Sequence, residues 1–197
     1  MDELVAFLLA GVALAGSPGP ANLSLAAMGA AFGVRRSLAY QAGAIFGMLV
    51  IMAVTASGLA ALVLAVPGLR HAVVAAALAY MLWLAWKIAA APPRLSAAPP
   101  ARPPSFAGGC LLQLSNPKAY AAMAALFSGF VLQANSPILD AAWKILLLLT
   151  IIAAVTTAWL HLGALLARIA TRPSIQRAIN VTFAILLLAS VLVALLL

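Results

Sequence analysis

Apolar runs of eighteen or more residues recur along this 197-residue chain, from its first few positions to its last. Each is long enough to cross a hydrocarbon core of ~30 Å as a helix. Lipid offers no partners to backbone N–H and C=O groups, so a run of this kind has to satisfy them internally. The period-two alternation that a β-barrel needs is absent. Charged residues make up 7% of the chain and hydrophobic ones 66%, with a mean hydropathy of +1.17. A soluble domain carries about 25% charged residues, so too little polar surface exists here to wet a globule. The sequence predicts an all-α polytopic membrane bundle of about six spans.

The net charge of +8 does not point to nucleic acid. The eleven Lys and Arg stand singly or in pairs between apolar spans and form no basic face. Cys110 is the single cysteine, which excludes an internal disulfide or a two-thiol relay. His71 and His161 are too far apart in sequence for metal-ligand spacing. No metal or cofactor is expected. An apolar run before Ala15-Gly16-Ser17 has the look of a signal peptide, but Asp2 and Glu3 give it an acidic start where a signal peptide is basic. It reads as a retained first span.

The spans fall at about Leu4–Gly33, Leu38–Val66, Leu69–Ala91, Phe106–Ala134, Pro137–Ala167 and Ala178–Leu197. Pro67-Gly68 reads as a turn, and Arg168, Arg172, Pro173 and Arg177 as the last loop. Trp83, Trp86 and Lys87 suit a membrane interface. The stretch from Ala91 to Ser105 holds six of the twelve prolines and predicts an extended, water-exposed connector. It divides the chain into residues 1–90, a first three-span repeat, the connector 91–105, and residues 106–197, a second three-span repeat. Three is odd, so the halves have opposite orientations. The first span of each half carries a proline break after a serine, Ser17 to Ala21 and Ser115 to Ala119. Two inverted three-helix repeats with broken first helices are a recurrent transporter plan.

Arg35, Arg36, Lys87, Arg94, Arg102, Arg168, Arg172 and Arg177 share one face; Arg70 and Lys144 lie on the other, and Lys118 lies inside a span. The eight-to-two bias puts the connector in the cytoplasm and both termini in the periplasm.

From Leu4 to Pro18 the helix is ~21 Å long, and from Phe106 to Lys118 ~18 Å, so both breaks fall near mid-bilayer. A proline there removes a donor and frees carbonyls, which is tolerated where the chain faces protein or a wet cavity. Half-helix N-termini suit a carboxylate and freed carbonyls an ammonium. The two breaks predict a zwitterion site from Ser17, Pro18, Gly19, Pro20, Asn22, Ser115, Asn116, Pro117 and Lys118. The plainer alternative is that the prolines kink helices for packing. Asn22 either satisfies freed carbonyls or contacts solute. Lys118, costing ~2.5–3.5 kcal/mol at mid-span, caps the half-helix before Pro117, or binds an anionic substrate group or changes protonation during transport, and the two roles are compatible. His161 is a second candidate for proton coupling, against a packing role. The glycine pairs Gly29/Gly33 and Gly43/Gly47 let helices approach closely.

The stretch SPGPANLSLAAMGAAFGVRRSLAYQAGAIFG, Ser17 to Gly47, resembles the signature of the LysE/RhtB amino-acid exporters: a hydroxyl residue before Pro-Gly-Pro, a Gly-x-Arg-Arg turn and a glycine-spaced second span. LLQLSNPKAYAAMAALFSGFV, Leu111 to Val131, resembles the family's second signature around Asn-Pro-Lys, and Arg172-Pro173 with Arg177 and Asn180 its segment before the last span. Met48 stands where many members have aspartate, which removes the likeliest embedded carboxylate, and Ala184 where a glycine is usual. The resemblance implies a secondary transporter exporting amino acids across a bacterial inner membrane on an ion gradient, with H+ the expected ion and a homodimer one expected assembly. Its signature positions map to Pro18, Gly19, Pro20, Asn22, Asn116, Pro117 and Lys118.

An intramembrane enzyme would need a Ser/Lys pair such as Ser115 or Ser17 with Lys118. A metal exporter would want His or carboxylate clusters. The expected reading is a transporter and not an enzyme. Its substrate is taken to be a neutral amino acid or small zwitterion, because no Asp or Glu lies within a span to pair a side-chain cation. The topology is tested by reporter fusion: a fluorescent protein after Leu197 stays dark and alkaline phosphatase there is active, whereas a bright fluorescent fusion reverses the assignment.

Overall fold

The structure is a computed structural model that describes residues 2–58, 67–92, 105–170 and 172–196. The described residues form helices and their connections: α1 (Asp2–Gly16), α2 (Pro20–Phe32), α3 (Val34–Ala56), α4 (Pro67–Ala89), α5 (Phe106–Leu114), α6 (Pro117–Gly129), α7 (Pro137–Ile169) and α8 (Pro173–Leu196). This is the helical membrane bundle predicted. Helices α3 and α7 are each long and apolar enough to span, as is α8 over Pro173–Val193; α1 and α2 do so as a pair bent by 56°. Helix α4 has a shorter apolar stretch, Ala75–Ala89, and α5 and α6 flank the second break. Among the described residues, α1–α2 and α5–α6 are thus helix pairs separated by short breaks.

Three boundaries differ from expectation. Pro67 and Gly68 begin α4 instead of forming a turn, because a proline in the first turn lacks only an N–H that would be unpaired anyway. Helix α8 starts at Pro173, so Pro173 and Arg177 are helical, and Arg168 lies in the last turn of α7. Gln176 Nε2 of α8 donates to the Ala167 and Ala170 carbonyls at the end of α7. The proline-rich segment 93–104, with Arg94 and Arg102, and the end of the second span, 59–66, lie outside the described residues.

The elements interlock most closely at the end of the bundle that holds Gly33. Gly33 has φ 85° and turns α2 into α3, a conformation glycine adopts without strain. A Cβ on Gly29 would land on the Leu160 carbonyl, and one on Gly163 on the Ala26 carbonyl, so α2 and α7 meet backbone to backbone. Gly43 against Phe106 and Gly109 against Tyr40 do the same for α3 and α5. Small residues at such crossings give membrane helices close van der Waals contact, the main attraction available where lipid is as apolar as leucine. Polar ties reinforce this end. Ser24 and Tyr40 hydroxyls lie 2.5 Å apart, Tyr80 donates to the Gly108 carbonyl, and Asn180 Nδ2 donates to the Ala91 carbonyl at 3.2 Å.

The opposite end, which holds Glu3, closes with side chains. Phe7 is fully buried and packs edge-on against Phe130 at 5.6 Å, within a cluster that includes Met52, Met123, Leu126 and Leu148. Lys144, 2% exposed, pairs with Asp140 at 2.6 Å and donates to the Phe127 and Phe130 carbonyls at the end of α6. Asp140 accepts from the Leu132 and Gln133 amides, and Glu3 from the Val131 amide.

Gly163→Val is expected to destabilise the purified protein by about 1–3 kcal/mol, the usual cost of overpacking. Gly129→Ala, where a Cβ meets nothing within 4 Å, leaves stability near wild type. Thermal unfolding midpoints in detergent compare the two.

Candidate functional site

Both proline breaks arise because a proline in the interior of a helix has no N–H and clashes with the preceding turn. Pro20 and Pro117 instead each take the first turn of a new helix, α2 and α6. Helix α1 therefore ends at Gly16 and α5 at Leu114, and their terminal carbonyls need other partners. The structure supplies these partners across the two halves. Lys118 Nζ donates to the Ser17 carbonyl at 2.8 Å and approaches the Pro18 carbonyl at 3.5 Å. It lies 2.7 Å from Ser17 Oγ, whose own proton goes to the Leu14 carbonyl. Asn22 Nδ2 donates to the Ala15 and Ser17 carbonyls at 2.7 and 3.0 Å. Trp159 Nε1 reaches the Gly16 carbonyl at 3.3 Å.

Lys118 does act as a cap, but on a different helix from the one anticipated: it covers the end of α1, not the half-helix before Pro117. A Cβ on Gly19 would sit 2.8 Å from Lys118 Cδ, so the side chain crosses directly over Gly19.

A cavity of about 50 Å³ lies between the breaks. Gly19, Ala21 and Asn22 of the first break line it, with Gln113, Asn116 and Lys118 of the second. Leu14 and Ala15 of α1, Ala44 and Met48 of α3 and Ile152, Val155 and Thr156 of α7 complete the wall, with Ala119, Ala122 and Met123 on α6. Lys118 is the one titratable side chain among the lining residues.

Neither helix that starts at the cavity is capped by a side chain. Gly19 has none to offer, and Asn116, in the N-cap position of α6, does not use its carboxamide there. That is unusual, since an N-cap asparagine ordinarily accepts from the first-turn amides. Asn116 is 4% exposed and its Oδ1 has no hydrogen-bond partner. The site therefore presents two helix N-termini and an ammonium on one side of the balance, and an unpaired acceptor on the other.

Of the residues anticipated from sequence, Gly19, Asn22, Asn116 and Lys118 meet at the cavity. Ser17 and Pro18 hold Lys118, while Pro20 and Pro117 start the helices. Ser115 ends α5 and does not line the cavity. His161 lies on the exposed face of α7, its Nδ1 2.9 Å from the Thr157 carbonyl, away from the cavity. A Ser17–Lys118 pair at 2.7 Å has the spacing of a dyad. Ser17 Oγ donates elsewhere and accepts from the lysine, which is the reverse of what a general base needs.

The sequence reading did not single out Gln41 or Gln113. Gln41 Nε2 donates to the Thr156 and Thr157 hydroxyls at 3.2 and 2.7 Å, and Gln113 sits one turn of chain before Asn116, joined by the Asn116 amide to Gln113 carbonyl bond. The signal was there: a glutamine inside an apolar span needs a partner.

The family described as LysE type translocator matches residues 12–197. The chain belongs to the LysE type translocators. Among curated relatives, the cysteine/O-acetylserine efflux protein of Escherichia coli (strain K12) is 34% identical over 116 residues, 59% of each chain. Its counterpart in Salmonella typhimurium (strain LT2) is 38% identical over 76 residues, 39% of each chain. The match thus spans well under two thirds of either relative. No solved structure matches the chain. Family membership and the apolar helices make this LysE-type chain a multi-pass membrane protein.

In the LysE-type site, Lys118→Met and Ser17→Ala are expected to be non-additive, with a coupling energy on the order of 0.5–3 kcal/mol. A double-mutant cycle on unfolding in detergent measures it; strict additivity means the two groups do not interact.

Proposed function

We propose that this LysE-type chain exports small neutral amino acids across a bacterial inner membrane, gripping the zwitterion between its two helix breaks. The observation that carries the reading is the meeting of the breaks at one cavity, with Lys118 of the second break bonded to Ser17 of the first. The substrate carboxylate lies toward the uncapped first turns of α2 and α6, where helix ends favour negative charge, and competes with the Ser17 and Pro18 carbonyls for Lys118. The α-ammonium takes Asn116 Oδ1, which a donor must satisfy when water is displaced.

No acidic side chain lines the cavity. A lysine or arginine side chain would be desolvated there without a counter-charge. Space for roughly three to five waters favours a small side chain. The relatives' name carries two small neutral amino acids, cysteine and O-acetylserine. Exchange of Lys118 between the α1 carbonyls and the substrate supports coupling at this residue, with H+ as the proposed ion, because it is the titratable group at the cavity.

Efflux from loaded vesicles tests this. Threonine, homoserine and leucine are expected to leave faster than lysine and arginine, and Lys118→Met inserts normally but transports nothing. Faster export of lysine or arginine than of every neutral substrate refutes the neutral reading, and full activity in Lys118→Met removes the lysine from the mechanism.

A further inference from the structure

We propose that Gln113 is the residue that reads the substrate's side chain, giving preference to small amino acids with an oxygen acceptor on the β-carbon, a hydroxyl or an ester, over apolar isosteres. This rests on the exporter reading and adds a determinant to it.

Gln113 is 3% exposed and lines the cavity. Its Nε2 points at Met48 Sδ, 3.5 Å away. A thioether is a weak acceptor, so this carboxamide is held out of water with a poor partner. Burial of an amide donor without a good acceptor is unfavourable, and two nearby buried amides are better served. Asn22 holds two carbonyls and Gln41 two hydroxyls. Thr156, across the cavity, already donates to the Ala153 carbonyl while accepting from Gln41.

Gln113 therefore carries a buried donor that a ligand oxygen serves better than its present partner does. Its partner is also the easiest to displace, since Met48 is unbranched and swings about three rotatable bonds. The Asn116 amide is bonded to the Gln113 carbonyl at 3.0 Å, which places the two carboxamides on one turn of chain. With Asn116 on the α-ammonium, Gln113 is the neighbouring group for whatever the β-carbon bears. A β-oxygen takes the Nε2 proton from the thioether. An ethyl group of the same size leaves the donor where it was and gains nothing.

The test compares serine with its isostere 2-aminobutyrate in proteoliposomes, as the ratio of kcat/KM within one preparation, so that losses of activity or folded protein cancel. The wild type is expected to favour serine roughly tenfold or more, as a site built to bond a hydroxyl does. In Gln113→Leu the ratio falls to within about twofold. In Met48→Leu, a volume-conserving change, the competing thioether is gone and the ratio widens. A Gln113→Leu ratio equal to that of wild type overturns the proposal. So does a wild-type ratio near one with both amino acids exported, or a Met48→Leu ratio that falls. Failure of the wild type to move any amino acid is a different outcome: it removes the exporter reading and this inference with it.

Discussion

Backbone groups that lipid cannot satisfy govern this structure. Interrupting a helix within a span leaves carbonyls at one end and amides at the other, and each unpaired group costs several kcal/mol in hydrocarbon. The chain does this twice, at Ser17 to Pro20 and at Ser115 to Pro117, and sets the breaks against each other. Lys118, Asn22 and Trp159 then supply donors to the end of α1 from three different elements. The cavity is a consequence of that arrangement. Two helices start there with uncapped N-termini because their cap positions hold a glycine and an asparagine whose side-chain oxygen is left unpaired.

A second lysine repeats the device at the margin. Lys144 holds the carbonyls that close α6 while Asp140 balances its charge and gathers the amides of the following loop. Both ammoniums thus serve helix C-termini, where cations are favoured by the helix dipole. They differ in what balances them. Lys144 has a carboxylate at 2.6 Å, whereas Lys118 rests on neutral oxygens beside an open cavity. That difference leaves the Lys118 ammonium held by neutral oxygens alone. The two ends of the bundle also differ in kind. Glycine crossings weld the Gly33 end, where backbones touch and no rotamer change opens a gap. Phe7, Phe130 and their neighbours close the Glu3 end with side chains that can rearrange without moving a helix axis.

Much of the fold was legible because hydropathy and proline act locally. Runs of apolar residues mark spans, and Pro-Gly-Pro and Asn-Pro mark breaks, whatever the rest of the chain does. Pro67 and Pro173 were misread for an equally local reason: a proline that ends one segment is just as well suited to begin the next, and sequence spacing does not separate these roles. At the site, Gly19, Asn22, Asn116 and Lys118 were identifiable because polar residues and prolines stand out in an apolar span. His161 stands out in the same way, yet it lies on the exposed face of α7, because helical phase against the other elements decides which side of a span looks inward.

The sequence alone determined that this is a helical membrane protein with two interrupted spans, since the length of the apolar runs and the chemistry of proline leave few alternatives. Tertiary structure decided how the interruptions are used. Lys118 reaches Ser17, 101 positions away, because Gly29 with Gly163 and Gly43 with Gly109 draw the helices of the two halves into backbone contact. The register between helices far apart in sequence follows from packing across the bundle, and no local pattern encodes it.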